Sequence, residues 1–255
     1  MKSILTIAGS DSCAGAGIQG DIKTIASYGL HGLSAITAVT AQNTRRVRHI
    51  QPIQVEEQLL SIEEDFTLAA IKIGMLYTKH NMRQVIDWTK AQTCPIILDP
   101  VLCSSTGQQL IETDGIDLMK KLMRQVTLIT PNCDEASLLL GEKIVTYEAM
   151  EKACNALYEM FGTSVLLKGG HFFLEDKAID FFCDGKSVQT YTQDRLISTC
   201  THGTGCCLST AIACEMASGL ALAEAIKNAK KKVYAAIRDG YKIGQGEGTV
   251  NILGI

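Results

Sequence analysis

Short apolar runs alternate with amphipathic stretches along this chain. Runs near 3–8, 33–40, 70–74, 95–99, 126–130 and 164–168 are brief, often β-branched and followed by turn residues, which predicts strands. Stretches near 16–28, 55–65, 79–92, 115–124, 132–140 and 147–161 predict helices between them. In the last of these, Met150, Ala153, Leu157 and Met160 are spaced for one helix face. Segments 177–183 and 187–192 predict a hairpin around Asp184-Gly185-Lys186, and helices near 204–218 and 221–239 close the chain. Alternation of strand and helix implies parallel strands covered on both faces by helices. No low-complexity stretch, linker or fixed-period repeat interrupts the pattern, so one domain over 1–255 is expected.

Composition narrows the function classes. The chain has 255 residues, 46% of them apolar, enough for a sizeable core. Net charge is -3 with both signs scattered, so no basic tract invites nucleic acid. The run Ile4-Leu5-Thr6-Ile7-Ala8 is far shorter than the roughly 20 residues a membrane span needs, and it predicts a buried first strand, not a signal segment. Ten cysteines occur without a Cys-x-x-Cys pair or Cys/His pairing at zinc-finger spacing. Cys94, Cys103, Cys154, Cys183 and Cys214 sit within or beside apolar stretches and read as small hydrophobes. A reducing cytoplasmic compartment is the expectation, with no nucleic-acid or membrane partner.

In a parallel sheet, ligands gather beyond the carboxyl ends of the strands. The loops there are rich in Gly, Asp, Asn and Pro. The strongest signal is His202-Gly203-Thr204-Gly205-Cys206-Cys207, opening a helix. Two glycines let backbone N–H groups turn toward one point, and the helix start adds unpaired donors and partial positive charge. Gly203, Thr204, Gly205 and Cys206 are therefore expected to form an anion hole for a transferring phosphoryl group. A helix start favours a thiolate at Cys206, which reads as nucleophile or proton acceptor, whereas Cys207 reads as structural. The bland alternative is a glycine-rich cap over a buried thiol.

Other loops carry weaker signals. Gly9 to Gly17 lets backbone approach a ligand closely, but no acidic residue follows at dinucleotide-fold spacing, and there is no Walker A lysine. Asp21 falls in an apolar helix start and otherwise reads as a solvated helix-terminal acid. Asn132 and Glu135 form a capping-box pattern; as hard oxygen donors they, with Asp99, are alternatively magnesium ligands, direct or through water. Lys168-Gly169-Gly170 follows a strand: two glycines permit close phosphate approach and the lysine pairs with phosphate charge, or the segment is simply a tight turn. Gln42 offers two directional hydrogen bonds to a heteroaromatic ring, or is a turn residue.

Together, Ala8-Gly9-Ser10-Asp11 with Gly15-Ala16-Gly17, Thr40-Ala41-Gln42-Asn43-Thr44, Lys72-Ile73-Gly74-Met75-Leu76, Asp99-Pro100-Val101, Thr130-Pro131-Asn132-x-x-Glu135, Lys168-Gly169-Gly170-His171 and His202-Gly203-Thr204-Gly205-Cys206 span nearly the whole chain. In that order the set resembles the hydroxymethylpyrimidine and phosphomethylpyrimidine kinases of thiamine synthesis, in the ribokinase-like superfamily. The resemblance implies a three-layer α/β/α sandwich with a mostly parallel sheet. It implies ATP as phosphate donor, Mg²⁺, a small pyrimidine substrate and a homodimer. Substrate contacts are implied at Gly9, Asp21, Gln42 and Met75, and Cys206 stands where sugar kinases of the superfamily carry an aspartate base. Ala14, Gly20, Cys207 and the segment 102–107 depart from the usual family pattern. Pyridoxal kinase is the rival within the family. A non-catalytic vitamin-binding protein and a redox sensor built on Cys206-Cys207 are the rivals outside it.

Overall fold

In a computed structural model, residues 1–103, 109–112, 114–170 and 176–254 are described. Nine strands join one sheet in the order β3-β2-β1-β4-β5-β6-β7-β8-β9. β1 (Ser3–Asp11), β2 (His31–Asn43), β4 (Leu68–Ile73), β5 (Ile96–Leu98), β6 (Leu128–Ile129) and β7 (Ser164–Leu167) run parallel. β3 (Arg46–Pro52), β8 (Lys177–Cys183) and β9 (Val188–Asp194) are antiparallel additions at the two edges.

Neighbouring residues of one strand serve opposite cores, as the period of two demands. Leu5 and Ile7 pack with α2 (Glu56–Asp65), α3 (Lys79–Thr89), α4 (Ile116–Met123), α5 (Cys133–Leu140) and α6 (Tyr147–Phe161). Ile4 packs on the other face with α1 (Gly17–Ser27), α7 (Thr204–Ala217) and α8 (Leu222–Arg238). Both faces are thus covered, the three-layer arrangement expected. The helix at 147–161 has the capped ends its sequence encodes: Thr146 accepts the Ala149 N–H, and Gly162 closes it in the left-handed region. Its inward stripe ends on Phe161, leaving Met160 37% exposed rather than on the core face.

Three other expectations shift. β2 runs on through Gln42 and Asn43, so those residues end a strand instead of forming a loop. β3 was not predicted from the pattern, because Ile50 is the one buried residue among Arg46, Val47, Arg48, His49, Gln51 and Pro52. An edge strand needs little apolar patterning when a neighbour supplies its hydrogen bonds. β5 and β6 are only three and two residues long, and Asp99 and Asn132 follow at their carboxyl ends. Among the described cysteines none is disulfide-bonded; Cys154, Cys183 and Cys214 are buried, but Cys103 is exposed, against expectation. His171 and residues 104–107 of the expected motifs lie outside the described residues.

Candidate active site

The turn before α7 is built by backbone geometry. Gly203 caps the helix with φ +87°, and a side chain there would strike the Gly15 carbonyl oxygen at 1.9 Å. The turn is thereby pressed against the loop that follows β1. Thr204 N–H closes the turn on Thr201 O at 3.2 Å, and Cys207 N–H returns to Gly203 O at 2.9 Å. Among the described hydrogen bonds, the N–H groups of Gly203, Gly205 and Cys206 take no acceptor. These are the orphan donors of a helix start, and they form the anion-binding turn. Thr204 drops out of the expected donor set because its N–H is already used.

Two sets of residues meet at this turn. A side chain added at Gly205 would lie 3.4 Å from both Asp99 Oδ2 and Lys168 Nζ. On the other side, the Gly17 N–H is directed at the Cys206 sulfur. Gly17 in turn abuts the Gly9 carbonyl, and Gly9 abuts Met75, whose Cε would lie 2.3 Å from a side chain at that position. Gly9, Gly17, Met75 and Cys206 therefore lie in one packed row, with Gly9 and Met75 buried. Gln42 stands further along, its Oε1 accepting from Thr40 Oγ1 at 3.2 Å and its backbone tied to Ser12.

Asp21 is neither a solvated helix-terminal acid nor exposed to ligand: it is 0% exposed. Its carboxylate accepts from Thr6 Oγ1 at 2.6 Å, Thr210 Oγ1 at 2.7 Å and Lys72 Nζ at 2.7 and 2.9 Å. It is a buttress under the site, joining α1, β1, β4 and α7. Lys72 enters the sequence pattern only within the motif Lys72-Ile73-Gly74-Met75-Leu76. The signal for its role was present: a lysine inside the apolar strand Ala69-Ala70-Ile71-Lys72-Ile73 must find a buried anion.

Asp99, Glu135 and Lys168 do gather at the carboxyl edge of the sheet. Lys168 Nζ pairs with Asp99 Oδ1 at 2.8 Å, and Thr130 Oγ1 donates to the same oxygen at 2.9 Å. Burial pushes Lys168 down, but Asp99 and Glu135 outweigh it and hold the ammonium above its ordinary range. Burial pushes Glu135 up, Lys168 pulls it down and Asp99 pushes it up again, leaving it at about 7. Asn132 is the N-cap of α5: its side chain accepts the Glu135 N–H at 2.8 Å, and Glu135 Oε2 accepts the Asn132 N–H at 2.8 Å. The Asn132 oxygen and one Glu135 oxygen are thus both engaged in a cap, each keeping a further lone pair.

The double glycine after β7 has a different cause from the one expected. A side chain at Gly169 would meet Ile179 O at 2.1 Å, and its N–H donates to Asp180 Oδ1 at 2.9 Å. The glycine makes room for β8, not for phosphate. Asp180 is held in turn by Lys230 from α8. Gly170 faces open space, and its carbonyl accepts from Arg195 at 2.7 Å.

Cys206 is at the helix start as expected, but it is a thiol. Burial raises its pKa, Lys72 lowers it, Asp21 and Asp99 raise it, and the Gly17 N–H lowers it; the result is about 11. The helix-terminal field is outweighed by loss of water and two nearby carboxylates.

The residues fit magnesium by charge. Asp99 and Glu135 bring two carboxylates to this edge, while Lys168 brings one ammonium group. Glu135 is the group left without a full counter-charge, and hard oxygen donors that keep water in between suit Mg²⁺.

Comparison with known proteins bears on this geometry. A family model described as phosphomethylpyrimidine kinase matches residues 11–251. A hydroxymethylpyrimidine/phosphomethylpyrimidine kinase of Aquifex aeolicus is 38% identical over 95% of this chain and 96% of its own length. The thiamine biosynthesis bifunctional protein ThiED of Geobacter sulfurreducens is 39% identical over 98% of this chain, which spans about half, 52%, of that longer relative. The pyridoxal kinase of Staphylococcus aureus, solved in complex with AMP-PCP, superposes with a TM-score of 0.91 at 31% identity, covering 99% of this chain and 94% of that one. With a glycine-bent, anion-binding helix start beside a buried lysine–carboxylate cluster, and a match from Asp11 to Asn251, this chain belongs to the phosphomethylpyrimidine kinase family.

Proposed function

We propose that this chain transfers the γ-phosphoryl group of ATP to the hydroxymethyl oxygen of 4-amino-5-hydroxymethyl-2-methylpyrimidine, and then phosphorylates the monophosphate to the diphosphate. One observation carries the reading. The α7 turn presents unpaired N–H groups between an Asp99–Lys168 pair on one side and the packed row of Gly9, Gly17, Met75 and Cys206 on the other. A phosphate and a small ring bound on these two sides would meet at Cys206.

In this reading the ring lies over Gly9 and Met75, with the Gln42 amide at its polar edge. The N–H groups of Gly205 and Cys206 receive charge that develops on the transferring group, where preorganised donors contribute most. Lys168, held by Asp99, fixes positive charge beside them. Mg²⁺, when bound, supplies neutralisation of phosphate charge; Asp99 and Glu135 are the residues that would hold it, through its waters. Cys206, a thiol with its pKa raised to about 11, orients the attacking hydroxyl and is not a resting base. Phosphoryl transfer passes through a loose transition state, so positioning outweighs early proton removal.

The second reading, pyridoxal phosphorylation, is favoured by the superposition on a pyridoxal kinase at 31% identity. Purified protein, given ATP and Mg²⁺ with hydroxymethylpyrimidine, its monophosphate or pyridoxal in turn, separates the readings through coupled ADP release. The proposal expects the highest kcat/KM with the pyrimidine, and release with its monophosphate as well. A higher value with pyridoxal would replace it, and no substrate-dependent release would leave a binding protein. Cytoplasmic location and a homodimer belong to the same proposal. They are supported by the absence, among the described residues, of a helix long and apolar enough to cross a membrane, and by exposed Val39 and Ile53 at the β2–β3 edge.

A further inference from the structure

Asp11, Cys13 and His202 have no part in the proposed transfer, yet they converge at the mouth of the substrate loop. Asp11 ends β1, Cys13 follows in the loop, and His202 arrives from the turn before α7, 189 residues away from Cys13. Cys13 Sγ donates to Asp11 Oδ1 at 3.0 Å, His202 Nε2 lies 2.9 Å from Asp11 Oδ2, and sulfur and imidazole nitrogen are 3.8 Å apart. One sulfur, one nitrogen and one carboxylate oxygen thus lie within 4.8 Å of one another.

We propose that these three side chains form a binding site for a soft divalent cation of the zinc class, separate from the position expected for magnesium. The donor set argues for the class. Thiolate and imidazole suit zinc, whereas magnesium takes oxygen donors in octahedral geometry. Tetrahedral zinc with ordinary bond lengths separates its sulfur and nitrogen ligands by about 3.6 Å, close to the spacing present. With Asp11 Oδ2 as the oxygen ligand, nitrogen and oxygen would stand about 3.4 Å apart, so the 2.9 Å His202–Asp11 contact opens by about half an ångström.

The scaffold holds the ligands in place. Asp11 is 4% exposed and also accepts the N–H groups of Cys13 at 2.9 Å, Gly15 at 3.2 Å and Ala16 at 2.9 Å. The His202 ring is pressed against Gly15, where a side chain would meet Cδ2 at 2.2 Å. Binding would release the Cys13 thiol proton to solvent, form the metal–sulfur bond, and shift the His202 ring proton from Nε2, where it now faces Asp11, to Nδ1, which frees the Nε2 lone pair for the metal. Three protein ligands leave the fourth position to water.

Cobalt(II) titration of the full chain tests this, since a thiolate bound to cobalt gives a charge-transfer band and tetrahedral cobalt absorbs strongly in the visible. One equivalent should produce both features, and Zn²⁺ should displace them stoichiometrically. Cys13→Ser should abolish the charge-transfer band and weaken Zn²⁺ by at least about 100-fold, since losing even an outer-shell partner costs 10–100-fold. Exposed Cys103→Ser should leave both unchanged. Cys13→Ser should keep wild-type kinase turnover, showing that it is folded; Cys13→Ala serves if it is not. No band in the wild type, or a band that survives loss of Cys13, overturns the site.

Discussion

Asp21 and Asp99 are both buried aspartates, each paired with a lysine from the parallel sheet or its carboxyl edge, at 2.7 and 2.8 Å. They do opposite things. The Asp21 carboxylate is closed off by Lys72, Thr6 and Thr210, with both side chains of the ion pair at 0% exposure. Asp99 shares its lysine with Glu135, lies against Gly205, and leaves that corner with one more carboxylate than ammonium. A saturated pair welds elements together; an under-compensated cluster at a helix start is prepared for a phosphate and its cation. What separates scaffold from site is the completeness of the hydrogen-bond shell, not the residue type.

The largest effect should come from breaking the saturated pair. Asp21→Ala leaves a buried ammonium without a partner and should cost about 3–5 kcal/mol of unfolding free energy, read by denaturant titration. A loss under about 1 kcal/mol would mean that the buttress is not needed for the fold. At the open cluster, Lys168→Met should instead lower kcat/KM about 10²–10³-fold, the range seen when one charge-stabilising donor is removed. If it unfolds the protein as severely as Asp21→Ala without a catalytic defect per folded molecule, the contrast between the two pairs collapses.

The thiol between them gives the next test. Only the thiolate is alkylated, and the Cys206 pKa lies at about 11. Below that value the ionised fraction falls tenfold per pH unit. Alkylation of Cys206, followed by peptide mass mapping, should therefore be slow at pH 7 and rise about tenfold per unit to pH 9. A rate already level at pH 7 would show a thiolate and restore the resting-base role. The smallest effect is expected at Asn132. As an N-cap, Asn132→Ala should cost about 1 kcal/mol of stability and leave the Mg²⁺ concentration for half-maximal rate unchanged. A several-fold rise in that concentration would make Asn132 a metal ligand after all.

Much of the fold was legible because burial on both faces of a parallel strand writes itself as a short apolar run. The capping box at Asn132 and Glu135 was equally legible, being a local hydrogen-bond pattern between residues three apart. β3 was not, because an edge strand borrows its register from β2 instead of from its own apolar spacing. Gly169 was read for phosphate and serves β8, because only a packed neighbour reveals what a missing side chain makes room for.

Local sequence alone determined where the helix of Cys206 starts, that its turn needs glycine at position 203, and which loops lie beyond the sheet. Only tertiary structure decided what those loops face. A cysteine and a histidine with no zinc-finger spacing meet at Asp11 across 189 residues. A thiol that a helix start should ionise is kept protonated by burial and by two carboxylates from distant elements. The physical reason is the same in both cases: capping and backbone strain act within a few residues, whereas desolvation and charge act on whatever the fold brings within a few ångströms.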